Sequence, residues 1–195
     1  MKYPDSTAGP ERFSARVPSR IPTPAIAVRP ENGHAALVKR EVVPVQIRGL
    51  LPAQSGVALF LGNDDKVFVI QVEQSMGSVI HMAMRGVAKD RPLTHDLFGH
   101  VLKGFGISLE RVVITELRNA TYYARLILKQ ENELGTKIVE VDARPSDCLA
   151  LAAANKRPVY VAASLFNEVE DMSEVLQRLN EQREKSDDDS DEEPE

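Results

Sequence analysis

Three consecutive segments of β type, joined by short polar turns, constrain the fold of this chain more than any other feature. The segments read RVVITEL, YYARLILK and KIVEVDA, and their connections, RNAT and QENELGT, carry turn-forming Asn and Gly. Strands with connections this short pair antiparallel, because a parallel crossover needs about a dozen residues or more. We therefore expect an α+β fold whose sheet is largely antiparallel or mixed, with inserted helices, rather than a doubly wound parallel sheet.

Further strands are predicted on both sides of these three. EVVPVQIRGLL alternates Val and Ile with other residues, which indicates a strand. GVALFLG and KVFVIQV flank NDD, in which Asn63 and Asp64 favour a tight turn, so these two segments are predicted to form a hairpin. PVYVA is predicted to be a last short strand.

Four segments are predicted to be helices: EQSMGSVIHMAMRG, PLTHDLFGHVLKGFG, SDCLALAAANK and SEVLQRLNEQREK. Ser75, Thr94 and Ser146 are expected to cap the N-termini of the first three. An apolar stripe in the second helix is predicted to be buried. Its members are Leu97, Val101, Leu102 and Phe105.

The two ends of the chain differ in charge from its middle. Residues 1–40 hold six of the twelve prolines, with seven basic and three acidic residues, and are predicted to be a disordered arm. Residues 184–195 hold eight acidic residues and one lysine, and are predicted to be a disordered acidic tail. The single domain is expected to span residues 41–183, where sixteen basic and eighteen acidic residues nearly balance. This balance argues against a strongly basic nucleic-acid-binding domain but leaves room for a local basic patch.

Several classes of protein are not expected from this composition. No apolar run reaches the roughly 18 residues of a membrane span, and the N-terminus lacks the apolar centre of a signal peptide. Cys148 is the only cysteine and lies in an apolar helix, so we expect a small buried residue and a cytoplasmic protein. No cluster of Cys and His indicates a zinc site.

Two charged helix entrances have much the same form. The first helix entrance is RPLTHD, residues 91–96, and the second helix entrance is DARPSD, residues 142–147. A proline near the start, a hydroxyl residue and an aspartate in the first turn all favour a helix N-terminus. This explanation does not cover Arg91, His95, Asp142 or Arg144.

Two interpretations of these charges remain open. In the structural one, Arg144 only pairs with Asp142 or Asp96. In the functional one, both helix entrances face one cleft, where Arg and free helix N–H groups bind a phosphate. His95 would then transfer protons near neutral pH, and Asp142 and Asp147 would orient water, hold His95 or bind a divalent cation such as magnesium or manganese.

A second candidate surface lies in the strand pair ELRNATYYAR. Arg118 ends one strand, and Tyr123 and Arg125 alternate with other residues on the next. A tyrosine beside arginines can stack a base and meet a phosphate. The same residues also stabilise cross-strand packing, so both interpretations stay open.

RPLTHDL, VVITELRNATYYARLIL, VDARPSDCLALA and RPVYVA follow one another at a spacing that resembles the bifunctional nuclease domain family. The resemblance covers roughly residues 43–165. It implies an α+β fold, a nuclease that acts on RNA and DNA, and self-association. It places the family's charged motif residues on two sets of positions. These are Arg91, His95 and Asp96 in the first helix entrance, and Asp142, Arg144, Ser146 and Asp147 in the second.

One position departs from the family pattern. The family often has a Glu in the helix before RPLTHD, and this chain has Met76 there. The leading prediction is a nuclease that hydrolyses phosphodiester bonds of RNA or DNA and forms homo-oligomers. The alternative is a non-catalytic module that binds an anionic ligand or a protein partner in the same cleft.

Overall fold

The computed structural model of the protein describes residues 27–29, 41–133 and 135–188. The strands are β1 (Ala27–Arg29), β2 (Val42–Ala53), β3 (Gly56–Gly62), β4 (Val67–Val72), β5 (Ile107–Arg118), β6 (Thr121–Asn132), β7 (Gly135–Ala143) and β8 (Val159–Ala162). The helices are α1 (Gln74–Arg85), α2 (Thr94–Gly104), α3 (Pro145–Asn155), α4 (Ala163–Glu168) and α5 (Ser173–Asp188). All strands and helices predicted from the sequence are present, and β1 and α4 are additional.

The described strands form one mixed sheet in the order β1-β7-β6-β5-β8-β2-β3-β4. The predicted meander is confirmed as β5, β6 and β7, which pair antiparallel. The pairing of β5 with β8 is parallel, because α3 carries the chain from β7 back across the sheet before β8 begins. The α+β class predicted from the sequence is therefore confirmed.

The hairpin turns follow the local chemistry that predicted them. Asn63 Oδ1 accepts hydrogen bonds from the N–H groups of Asp65 and Lys66, and so closes the turn between β3 and β4. Asn119 and Ala120 have φ values of 49° and 59° and form the two-residue turn between β5 and β6. This second turn places Ala120 and Thr121 beside the start of α3, where they contribute to the candidate site.

Helices cover one face of the sheet, with α3 between α1 and α2. Gly77 allows α1 to lie close to β3, because a Cβ at this position would be 2.4 Å from Val57 Cγ2. On the other face, Leu176 of α5 packs against Phe60 of β3 and its neighbours.

The central helix α3 is buried along most of its length, and Cys148 has no exposed surface. Burial raises the pKa of the Cys148 thiol to about 12, and the nearby charges of Asp147 and Asp142 add to this. The sequence prediction of a small buried cysteine is confirmed. The packing of the apolar α3 in the core sets the position of its charged N-terminus.

The predicted buried stripe of α2 is wrong. Leu97, Val101 and Phe105 are exposed, Phe105 to 70%, and only Leu102 packs against the main core. Helical periodicity predicts an apolar face but not what covers it, and α2 lies at the periphery, against α3 and β5.

The predicted N-caps are also wrong by one or two residues. Ser75, Thr94 and Ser146 all lie inside the first turns of their helices, and none of the three helices has a side-chain cap from its N-cap residue. In α3 this follows from Pro145, which takes the first helical position and so makes Arg144 the N-cap.

Secondary structure extends beyond both predicted ends of the domain, residues 41 and 183. Residues 27–29, within the predicted arm, form β1 on the edge of β7, and α5 continues to Asp188, beyond the predicted end at residue 183. The rest of the predicted arm and of the acidic tail lies outside the described residues. None of the described helices is long and apolar enough to cross a membrane.

Candidate active site

Three predicted site residues meet where the N-termini of α2 and α3 come together. His95 Nε2 lies 2.9 Å from Asp147 Oδ1, and Arg144 Nε donates to Asp147 Oδ2 at 2.9 Å. Arg144 Nη2 also donates to Asp147 Oδ1, at 3.4 Å. Asp147 is thus the centre of a chain of hydrogen bonds that links the two helices.

The charge of Asp147 fixes the proton on His95. Burial opposes ionisation of Asp147, but hydrogen bonds from Arg144 and His95 outweigh it and hold the pKa of this carboxyl below its usual value. An ionised carboxylate only accepts hydrogen bonds, so Nε2 of His95 is the donor. A neutral His95 therefore has its proton on Nε2 and a bare Nδ1 that can accept another proton.

Arg144 keeps capacity to bind an anion while it holds Asp147. Its side chain is 66% exposed, and its Nη1 group is not used by Asp147. The hydrogen bond to Asp147 raises the pKa of Arg144, and the nearby charge of Glu73 adds to this. Ser146 and Asp147 occupy the first turn of α3, where backbone N–H groups have no helical acceptor. An anion at Arg144 would therefore also meet a helix N-terminus.

A cleft of about 520 Å³ opens beside Arg144. Its walls are largely apolar, with Val72, Met76, Tyr122 and Pro145 among them. Its polar lining includes Glu73, Thr121, Arg144 and Ser146. We call this space the Arg144 cleft.

A second cavity of about 450 Å³ lies beside His95. Met76 lines both this cavity and the Arg144 cleft, and its side chain is only 8% exposed. Met76 therefore forms a wall that the Arg144 cleft and the cavity beside His95 share.

Asp96 is not part of this hydrogen-bonded chain. Its carboxylate accepts from Lys89 Nζ at 2.7 Å and from the backbone N–H of Leu93 at 2.8 Å. The hydrogen bond from Lys89 is the main cause that lowers the pKa of Asp96. These contacts are those of a residue that holds the start of α2.

Arg91 and Asp142 also stay outside the chain of hydrogen bonds. Arg91 is exposed. Asp142 is exposed as well, and its neighbours Val141 and Ala143 pack against the core, so its side chain is directed to the opposite face of β7.

Tyr123, Arg125 and Arg118 lie on the sheet face opposite the Arg144 cleft. Tyr122 and Ala124 face the core, so the residues that alternate with them face away. Arg125 Nη1 donates to Glu140 at 2.8 Å, and Arg118 pairs with Glu116 at 2.6 Å and lies 5.9 Å from the Tyr123 ring centre. The two predicted nucleic-acid surfaces are therefore separate in the structure.

The described residues do not fit the predicted divalent-cation site. Asp142 does not join Asp147, whose oxygens already accept from Arg144 and His95. Nowhere in the described part of the chain do three His, Cys, Asp or Glu side chains form a group that could hold a metal ion.

A sequence model of the bifunctional nuclease domain matches residues 58–174, more than half of the chain. The chain belongs to the bifunctional nuclease domain family. An uncharacterized protein of Mycobacterium tuberculosis is 37% identical over 127 residues, which cover 65% of this chain and 73% of that protein. Bifunctional nuclease 1 of Oryza sativa subsp. indica and a bifunctional nuclease of Oryza minuta are each 27% identical over 118 residues. That alignment covers 60% of this chain but only 35% of each rice protein.

Three residues at or near the site of this family member were not singled out for function in the sequence. Tyr122 and Glu73 line the Arg144 cleft, and Lys89 is the partner of Asp96. The alternation in β6 was a usable signal for Tyr122, because it places one of the two adjacent tyrosines on the helix side of the sheet. Glu73 and Lys89 carry no sequence signal beyond their charge.

Proposed function

We propose that this protein is a nuclease that hydrolyses phosphodiester bonds of RNA or DNA between the N-termini of α2 and α3. One observation carries the proposal: the ionised Asp147 contacts both His95 and the exposed Arg144, so a proton-transferring group and an anion-binding group share one partner. The family and its bifunctional nuclease members support the same reaction class.

The phosphodiester binds at the exposed guanidinium of Arg144 and the first turn of α3. Arg144 offers the N–H groups that Asp147 does not use, and the helix N-terminus favours the same negative charge. Asp147 holds the arginine in place from the other side. The contact between Arg144 and the phosphate would stabilise the additional negative charge that develops on the phosphate oxygens during attack.

His95 moves the proton. Its bare Nδ1 takes a proton from the attacking water, or from the ribose 2′-hydroxyl in RNA, while the oxygen forms a bond to phosphorus. The ester bond to the leaving oxygen breaks, and this oxygen receives the proton from the imidazolium. Asp147 stabilises the imidazolium during the step, because its carboxylate accepts from Nε2. Asp96, Asp142 and Arg91 are not needed in this scheme.

The test is hydrolysis of labelled single-stranded and double-stranded RNA and DNA by the purified full chain. Each substrate is incubated with a chelator, with magnesium and with manganese, beside a His95→Ala, Asp147→Ala double variant. Hydrolysis by the parent that the double variant loses supports the proposal. Equal hydrolysis by both proteins would locate the reaction elsewhere or reveal a contaminant.

The second candidate function is a non-catalytic module that binds an anionic ligand or a protein partner. It is favoured by Met76, which lines both the Arg144 cleft and the cavity beside His95. Met76 is apolar, whereas the family often has Glu at this position. In the hydrolysis assay this module would release no products under any metal condition. A separate titration would show that it binds nucleic acid or a small phosphate compound through Arg144.

We also propose that the chain forms homo-oligomers in the cytoplasm. The stripe of Leu97, Phe98, Val101 and Phe105 leaves an apolar face of α2 exposed, which is common at contacts between subunits. The only cysteine is a buried thiol, as expected in a reducing compartment. Light scattering at micromolar concentration should report more than one subunit, and a Val101→Ser, Phe105→Ser variant should shift the mass toward one.

A further inference from the structure

We propose that the Arg144 cleft binds one unpaired nucleobase, so that the protein selects single-stranded RNA or DNA. This inference rests on the proposed function and names the form of its substrate. A base inside a duplex is stacked and paired, so it must leave the stack before it can enter a cleft of this kind.

The size and walls of the cleft fit a flat apolar ligand. Its volume of about 520 Å³ lies in the range of small-molecule sites. Val72, Met76 and Pro145 offer aliphatic surface, and Tyr122 offers part of an aromatic ring. Bases that leave a stack are held between such apolar and aromatic side chains. An inorganic phosphate alone would leave this surface unused.

The polar groups of the cleft fit the edges of a nucleotide. Arg144 lines the cleft and also holds Asp147, so a phosphate at Arg144 and a base in the cleft are neighbours, as they are within one nucleotide. Glu73 lines the cleft as well and is exposed. A carboxylate accepts hydrogen bonds from an amino group of a base, as Glu does from cytosine.

Tyr122 is a half-buried aromatic residue of the cleft that packs against the core. Its ring lies 6.1 Å from the ring of Phe68, centre to centre, and burial raises its pKa. Its neighbour Tyr123 is directed to the opposite face of the sheet. The two adjacent tyrosines therefore separate two predictions, a base in the Arg144 cleft and a base on the open sheet face.

The experiment measures binding to two probes with equal numbers of phosphates. One is a five-nucleotide oligodeoxycytidylate, and the other is an abasic oligonucleotide of the same length. The full chain carries His95→Ala to prevent cleavage. We expect it to bind the cytidylate about tenfold more tightly, since one base stacked on an aromatic side chain contributes roughly 5- to 150-fold in affinity.

Three further variants in the same background locate the base. Tyr122→Leu should reduce the tenfold preference to about twofold or less. Because this change also removes a contact with Phe68, Ser146→Met provides a second route, in which a half-buried residue of the cleft lining gains a long side chain that reduces the space for a base. Tyr123→Ala should retain the preference. Circular dichroism confirms that each variant is folded.

The outcomes separate this inference from the proposed function. Equal binding of both probes by the protein without these three changes would overturn the base site, while phosphate binding and the nuclease proposal would stand. No binding of either probe would overturn both. A preference that survives Ser146→Met but is lost in Tyr123→Ala would move the base to the open sheet face and also overturn the inference.

Discussion

At the first helix entrance, Asp96 accepts hydrogen bonds from Lys89 and from the backbone N–H of Leu93. At the second helix entrance, Asp147 accepts from the side chains of Arg144 and His95. Both aspartates occupy the third position of their helix, so the local pattern is the same.

The difference comes from the residue just before each helix. In α2 this residue is Leu93, which offers only its backbone N–H, and the aspartate reaches back to it as in a capping box. In α3 it is Arg144, whose guanidinium reaches forward to the aspartate. The same pattern therefore stabilises a helix in one place and builds a charged site in the other.

The largest effect on the rate of hydrolysis should come from His95, which lies on α2 and contacts Asp147 of the second helix entrance. His95→Ala should lower the rate of hydrolysis about 10²- to 10⁴-fold and change nucleic-acid binding little, because it removes only proton transfer. His100→Ala, an exposed histidine of the same helix, is the matched control. A comparable loss in both variants would mean that the helix, not the imidazole of His95, supports the reaction.

Asp147→Asn should lower the rate about 10²-fold or more. The amide can donate to Nε2 of His95 and so favours the wrong tautomer, with the proton on Nδ1. Asp142→Asn, an equal change at an exposed position, should retain the rate. Loss of activity in Asp142→Asn would return Asp142 to the catalytic residues that the sequence predicted.

Arg144→Ala should weaken the binding of single-stranded DNA about tenfold and reduce the slope of log affinity against log salt by about 0.7, which corresponds to one phosphate contact. Arg91→Ala is the control from the first helix entrance. Titrations at several salt concentrations measure both slopes. Equal changes in the two variants would show that both helix entrances contact the strand and would weaken the contrast between them.

Asp96→Ala should reduce the free energy of unfolding by about 0.5–2 kcal/mol, because the start of α2 loses its capping carboxylate. Denaturant unfolding measures this change. The rate of hydrolysis at a temperature where the variant is folded should stay within a few-fold of the parent. A loss as large as that of Asp147→Asn would show that the two aspartates share one function.

The smallest effect concerns acid stability. The pKa values of Asp96 and Asp147 are both lowered from 3.8 in the folded protein. Such carboxyls contribute stability that is fully present above the unfolded-state pKa and is lost as the pH falls through the folded-state pKa. Unfolding between about pH 5 and pH 2 should therefore show a shallower loss of stability in an Asp96→Asn, Asp147→Asn variant than in the parent. Parallel curves would contradict the lowered pKa values.

Local chemistry made most of the fold predictable. The meander of β5, β6 and β7 follows from alternation and turn residues, which act between near neighbours in sequence. The strand β1 has three residues and depends on the edge of β7, so it has no signal of its own. The exposure of the apolar stripe of α2 could not be predicted, because periodicity shows that a helix has an apolar face but not whether another element packs against it.

The site was less predictable, because partner choice depends on distant residues. His95 and Asp147 are separated by 52 positions and meet only because α2 and α3 pack together. The sequence placed Asp96 and Asp142 with them because both lie in the charged helix entrances, at positions where the family has its motif residues. Lys89 holds Asp96, and strand alternation turns Asp142 to the other face of β7, and neither effect is visible in a six-residue motif.

The buried Cys148 can report how often α3 opens from the core, because its thiol is protected while the helix is packed. A thiol reagent reacts with the thiolate, and a thiol that has no exposed surface and a pKa of about 12 offers almost none. Modification must therefore wait until α3 lifts from the core. The labelling rate of native protein would measure how often the helix that carries Arg144 and Asp147 opens, without any added probe.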